Sequence, residues 1–161
     1  MDAPPKDIVL YVDDEATNLK AIKRLLRHEP VALVNYDSPL RALDAIKAMQ
    51  PAVIISDLRM PEMNGIDFLI KTKSAQPDAI RMVLTGHANL QSAVEAINRG
   101  HVFSYIQKPW DDEMKPLSRG FRTIRGSHGT MPKAVYPILC PGSHQVLLSS
   151  ADQGMYELYK Q

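Results

Sequence analysis

Cysteine is nearly absent: Cys140 is the single one in 161 residues, so no internal disulfide can form, which fits a reducing compartment. Long hydrophobic runs are missing too, and nothing approaches the roughly 18–20 apolar residues a membrane-crossing helix needs. The opening Met1-Asp2-Ala3-Pro4-Pro5-Lys6 lacks the basic-then-apolar layout of a secretory signal, so the expected location is the cytoplasm. No excess of one charge stands out. The formal net charge of +1 gives no reason to expect nucleic acid or a membrane surface as an obligatory partner. What is present, 45% hydrophobic and 23% charged residues, suits a folded globular domain and not a disordered chain. The length allows one ordinary domain and not two full-sized ones.

The first part of the chain alternates two periodicities. Ile8-Val9-Leu10-Tyr11-Val12 is a short apolar run of the kind a buried parallel strand shows, and it ends at Asp13-Asp14-Glu15. Leu19, Ile22, Leu25 and Leu26 follow at helical spacing, and Pro30 stops that helix near His28. Val31 to Tyr36 reads as a second strand, and Ser38-Pro39 as the cap and first residue of a helix carrying Leu40, Leu43 and Ile46. Val53-Ile54-Ile55 is a third strand stopping at Asp57, with a helix after Gly65 through Ile66, Leu69 and Ile70. Ile80 to Leu84, Leu90 to Ile97 and Val102 to Ile106 complete the strand, helix, strand series, and a fifth helix is expected from Asp111. Strands and helices alternating about every 20–25 residues imply right-handed crossovers: an α/β, doubly wound, five-stranded parallel sheet with helices on both faces. Ligands in such sheets gather at the carboxyl ends of the strands.

Beyond about Asp112 the character changes. Lys115, Arg119, Arg122, Arg125 and Lys133 occur with no acidic residue among them, and Pro116 and Gly120 disfavour a straight fifth helix. The expected division is a domain over 1–124 and an irregular linker and extension over 125–161. Within the extension, Ser149 to Tyr159 reads as a short final helix capped by Ser150 or Asp152.

Polar residues stand at the ends of four predicted strands: Asp13 and Asp14, Asp57, Thr85, and Lys108. Each has an ordinary explanation. Acidic residues are favourable at any helix N-terminus, Asp57 suits a turn, Thr85 suits a cap, and Lys108 suits a solvated surface. Their joint order on one rim points to chemistry. Three clustered carboxylates need a neutralising cation, and hard oxygen donors suit Mg²⁺. Such a site suits phosphoryl transfer, with Asp57 as nucleophile, the metal and Lys108 neutralising phosphoryl oxygens, and Thr85 donating a hydrogen bond.

The blocks Ile8 to Glu15, Ser56-Asp57-Leu58-Arg59-Met60-Pro61-Glu62-Met63-Asn64-Gly65, Leu84-Thr85-Gly86 and Lys108-Pro109-Trp110 resemble the signature of response-regulator receivers (CheY-like domains) over roughly residues 6 to 112. The resemblance implies a flavodoxin-like sheet of order 2-1-3-4-5. It implies that Asp57 accepts phosphate from a sensor histidine kinase or phosphotransfer protein, switching protein–protein contacts. Asp14, Asp57 and the backbone carbonyl of Arg59 would hold Mg²⁺, and Asp13 would act mostly through a metal-bound water. Lys108 would pair with the phosphoryl group while Thr85 and Tyr105 act as the switch. Arg59 and His87 occupy positions that tune dephosphorylation. The chain would be no enzyme beyond its own phosphorylation and dephosphorylation. A homodimer through the fourth helix, fifth strand and fifth helix is a family habit that Pro116 and Gly120 would weaken. The family names no downstream partner.

A second, shorter resemblance lies in the tail. Ala134 to Pro137, Gly142-Ser143 and Leu147 to Tyr156 look like the last strand, loop and helix of a diguanylate cyclase (GGDEF) domain. The Gly-Gly-Asp/Glu-Glu-Phe signature is absent from the chain, so the alternative it suggests is a cyclic-di-GMP regulator without cyclase activity. DNA binding has only the basic 115–133 stretch behind it, with no helix-turn-helix pattern. A haloacid-dehalogenase-type phosphatase would need an aspartate where Arg59 stands.

Overall fold

A computed structural model describes residues 7–86, 90–102, 104–108, 136–139, 145–149 and 156–160. Strand and helix alternate as the hydrophobic pattern dictates: β1 (Asp7–Val12), α1 (Ala16–Leu25), β2 (Val31–Tyr36), α2 (Pro39–Met49), β3 (Val53–Ser56), α3 (Gly65–Ala75), β4 (Ile80–Thr85), α4 (Leu90–Gly100) and β5 (Ser104–Gln107). Local chemistry sets the boundaries. Ser38 accepts a hydrogen bond from the Arg41 amide at the start of α2, with Pro39 in the first turn where its missing N–H costs nothing. Asn64 does the same for α3, its Oδ1 lying 2.9 Å from the Asp67 amide. Helix α2 closes on Gln50, whose φ of 50° is left-handed and aims its N–H at the Ile46 carbonyl.

The five strands form one parallel sheet in the order β2-β1-β3-β4-β5. The register aligns their carboxyl ends: Val12 lies beside both Tyr36 and Ser56, Ser56 beside Val83, and Thr85 beside Gln107. Alternate side chains face opposite layers. On one face Leu10, Val12, Ile54 and Val83 pack with Ala42 and Ile46 of α2, Phe68 and Leu69 of α3 and Ala96 of α4. On the other, Val9, Tyr11, Ile55, Met82 and Leu84 pack with Ile22 of α1 and with Leu26. Each fully buried aliphatic or aromatic side chain contributes about 1.5–3 kcal/mol, so the central strands anchor the rim above them.

The expected α/β architecture and strand order are present, with small shifts of boundary. Helix α1 ends at Leu25, short of His28, and β5 begins at Ser104 instead of Val102. Two expectations for the extension are corrected. Its described parts are not irregular but three strands, β6 (Tyr136–Leu139), β7 (Gln145–Ser149) and β8 (Tyr156–Lys160), paired antiparallel in that order. The final helix over Ser149 to Tyr159 does not form at either end. Val146 and the aromatic Tyr156 and Tyr159 favour extended backbone, and Gly154 weakens the helical alternative. The cap candidates Ser150 and Asp152, the fifth helix from Asp111, and Pro116 and Gly120 lie outside the described residues. Among the described residues, no helix is long and apolar enough to cross a membrane.

Candidate functional site

Because parallel strands end together, the polar residues that follow them meet on one rim. Asp13 follows β1, and its amide donates to the Tyr36 carbonyl at 3.1 Å, fixing the β1 end against β2. Asp57 follows β3, and its amide donates to the Val12 carbonyl at 2.9 Å. Lys108 follows β5, with its amide 2.8 Å from the Thr85 carbonyl at the end of β4. These bonds tie the ends of β1, β2 and β3 together and the end of β5 to that of β4, and the β3–β4 pairing joins the two groups into one cluster.

Oxygens of Asp13, Asp14 and Asp57 lie within 4.8 Å of one another. Asp13 and Asp57 are buried, whereas Asp14 is exposed and faces solvent at the mouth of the group. Nζ of Lys108 bridges the two buried carboxylates, 2.5 Å from Asp13 Oδ2 and 3.2 Å from Asp57 Oδ1. The other oxygen of Asp57 accepts the Arg59 amide at 3.0 Å, and the Ser56 hydroxyl donates to the Asp57 carbonyl at 2.8 Å. Thr85 is fully buried beside this group, and Tyr105 is buried in the core layer that includes Val83 and Ala96. The Arg59 side chain is exposed, and His87 lies outside the described residues.

Asp13 is the most heavily bonded of the three. Its Oδ1 accepts the Glu15 amide at 2.9 Å and Asn18 Nδ2 at 3.3 Å. Its Oδ2 accepts the Tyr11 hydroxyl at 2.6 Å as well as Lys108. Burial, and then the hydrogen bond and negative charge of Asp13, push the Tyr11 hydroxyl far above its ordinary value, so it stays a donor at any working pH. The close approach of α3 is part of the same construction. A Cβ on Gly65 would stand 1.9 Å from the Asp57 carbonyl oxygen, so glycine alone lets the helix start this near the acid.

Chemically, the cluster is a set of hard anionic oxygens with one ammonium between two of them. Three carboxylates and one lysine leave net negative charge at a partly open mouth. That composition fits a hard divalent cation such as Mg²⁺ beside a nucleophilic carboxylate.

The family model for the response regulator receiver domain matches residues 9–115. This chain belongs to the response regulator receiver family. Receivers work in phosphorelay signalling and bind Mg²⁺ at an aspartate cluster such as Asp13, Asp14 and Asp57 form here. The receiver is 31% identical over 108 residues to the hydrogenase transcriptional regulatory protein HoxA of Bradyrhizobium diazoefficiens, covering 65% of this chain and 21% of that protein. It thus spans about a fifth of that relative. Among solved structures, the signal receiver domain of an HD domain-containing protein from Pseudomonas fluorescens Pf-5 is 28% identical with a TM-score of 0.68, covering 74% of this chain and 94% of that one. The beryllofluoride-activated NtrC4 receiver domain dimer is 30% identical with a TM-score of 0.63, covering 73% and 93%.

Sequence reasoning placed Asp13, Asp14, Asp57, Thr85 and Lys108 on the rim of this receiver, and all five are there. It missed the donors that surround Asp13. Tyr11 carried a usable signal: a hydroxyl-bearing residue in the apolar run Ile8 to Val12, two positions before an acid and therefore on its side of the sheet. Asn18 and Gly65 carried weaker ones, since neither a helix-borne amide nor a glycine near a helix start is unusual.

Proposed function

We propose that this receiver takes a phosphoryl group onto Asp57 in a Mg²⁺-dependent transfer from the phosphohistidine of a sensor histidine kinase or phosphotransfer protein. The observation that carries the proposal is Lys108 Nζ lying between Asp13 and Asp57, with Asp14 completing the carboxylate group. A carboxylate oxygen of Asp57 attacks phosphorus and the phosphorus–nitrogen bond of the donor breaks. The imidazole leaves with the electron pair, and a mixed anhydride remains on Asp57. Hydrolysis by water returns the carboxylate and releases inorganic phosphate.

Asp14 and Asp57, with the backbone carbonyl of Arg59, would hold Mg²⁺, while Asp13 would act mostly through a metal-bound water. When bound, the ion supplies positive charge to the phosphoryl oxygens. Lys108 supplies the second positive charge by turning from the carboxylates to a phosphoryl oxygen. Thr85, buried at the end of β4, donates to another, and Tyr105, already buried in the core layer, acts with it as the switch. Arg59 and His87 tune how long the phosphoryl group lasts. The chain acts on no substrate beyond its own phosphorylation and dephosphorylation, and it works in the cytoplasm. Its output is a change of protein partner, and the similarity to an activated receiver dimer supports a homodimer as one form of that output. The cyclic-di-GMP alternative rests on the short resemblance over Ala134 to Pro137, Gly142-Ser143 and Leu147 to Tyr156, and the strands at Gln145–Ser149 and Tyr156–Lys160 do not favour its final helix.

The test is incubation of the chain and of Asp57→Asn with Mg²⁺ and acetyl phosphate, followed by intact-mass spectrometry. One added phosphate in the parent alone is the expected result. No adduct on the parent, or an equal adduct on the variant, would sink the assignment to Asp57.

A further inference from the structure

Tyr11 is a buried hydroxyl that the phosphoryl chemistry above does not use. It sits near the carboxyl end of β1, an interior strand, fully enclosed, and its hydroxyl donates to Asp13 Oδ2 at 2.6 Å. Lys108 donates to that same oxygen. The other oxygen is taken by the Glu15 amide and Asn18. Four donors fill the roughly four acceptor positions a carboxylate offers. Lys108 also reaches Asp57 Oδ1, so it alone among the four has a second acid within reach. Tyr11 is held by strand β1, and the Glu15 amide by the backbone. Of the two donors on Oδ2, one is fixed and one can leave.

We infer that Tyr11 is a positioning residue: it keeps Asp13 oriented and hydrogen-bonded while Lys108 leaves Asp13 for the phosphoryl group on Asp57. This rests on the proposed phosphorylation of Asp57 for its purpose, but not for its geometry. A buried carboxylate oxygen that loses its last side-chain donor bears the full desolvation penalty. With Tyr11 in place, Lys108 can move and Oδ2 remains satisfied. Without it, Lys108 becomes the only side-chain donor to Oδ2 and is held back from its second task.

A tyrosine there solely to fill the core would make a different set of predictions. Its ring packs among Val9, Ile55 and Leu84 on the α1 side of the sheet, and phenylalanine would preserve that packing. Tyr11→Phe therefore isolates the hydroxyl. Two readouts on the full chain separate the roles, each as a double-mutant cycle with Lys108→Met.

The first readout is urea unfolding of metal-free protein, which needs neither phosphate nor Mg²⁺. Removing both donors leaves Oδ2 with none of its side-chain partners. The double variant should then lose about fivefold or more in the folding equilibrium constant beyond the product of the single losses. Multiplicative losses would show that the two residues do not share Asp13, and would overturn the inference. The second readout is the rate of phosphorylation by acetyl phosphate at saturating Mg²⁺. Tyr11→Phe should slow it by about fivefold or more in the parent and by a much smaller factor in the Lys108→Met background. An unchanged rate, or the same slowing in both backgrounds, would overturn it. Failure of the parent to accept phosphate at all would refute the assignment of Asp57, and the unfolding cycle would still decide whether Tyr11 and Lys108 act together on Asp13.

Discussion

Gly65 and the Asp57 carbonyl approach so closely that a Cβ on the glycine would stand 1.9 Å from the oxygen and 2.8 Å from its carbon. Both obstacles are backbone atoms, so a rotamer change cannot relieve the clash. The Gly65 amide is also bonded to the Leu58 carbonyl at 2.8 Å, which ties the start of α3 to the residue after the acid. Gly65→Ala is therefore expected to push the loop away from β3 and tilt the Asp57 carboxylate. The expected cost is about 1–3 kcal/mol of stability, by the usual scale for overpacking, with a clear fall in phosphorylation by acetyl phosphate. Urea unfolding and the mass assay measure the two effects. A variant with parental stability and parental labelling would show that the loop yields freely.

Lys108 is the cation that lets two buried carboxylates face each other, with its side chain only 12% exposed. Lys108→Met leaves them unpaired. In metal-free protein the expected loss is about 3 kcal/mol, the scale for breaking a buried pair. Adding Mg²⁺ should then stabilise the variant more than the parent, because the ion meets no competing ammonium. Melting curves with and without Mg²⁺ read this directly. Equal Mg²⁺ stabilisation of both proteins would show that lysine and metal do not share the carboxylates.

Most of the fold was legible because burial writes itself into the sequence at period two and period three to four. Ile54 and Ile55 declare a central strand, and Leu19 and Ile22 a helix face. The rim followed from topology, since Asp57 and Lys108 matter through where their strands end. Contacts that depend on register were not legible. The spacing of Tyr11 puts it on the same side of the sheet as Asp13, but the contact itself depends on side-chain geometry, and a glycine says nothing of the 1.9 Å approach until the helix is placed. The extension misled because Ser149 to Tyr159 has residues compatible with a helix, while the strands it holds are selected by pairing across chain segments. Pairing of that kind has no local signature.

Arg81 is a charged side chain in β4 only 2% exposed, and among the described residues it has no carboxylate partner. Its Nη1 donates to the Gln76 carbonyl at 3.3 Å, its Nε has no hydrogen-bond partner, and burial lowers its pKa from the ordinary guanidinium value. A buried charge held this thinly costs more in desolvation than it gains. Arg81→Met, similar in length and apolar, should therefore match or exceed the parent in stability, by up to about 3 kcal/mol. Phosphorylation of Asp57 should be unchanged, since Arg81 lies toward the opposite end of β4 from Thr85. A urea midpoint well below that of the parent would contradict this.

His101, just past the end of α4, has a left-handed φ of 49° and lies near two cations. Loss of hydration, then Lys73 and Arg81, lower its pKa from the usual 6.5. The unfolded chain consequently binds a proton at this residue more readily than the folded one. By linkage, stability tied to His101 is complete above pH 6.5 and is lost as pH falls through the lowered folded value. Asparagine tolerates left-handed backbone and does not titrate, so His101→Asn removes the proton without forcing the turn. The drop in urea midpoint between about pH 8 and about pH 5 should be smaller in the variant than in the parent. An identical drop would place the acid sensitivity of this domain outside His101.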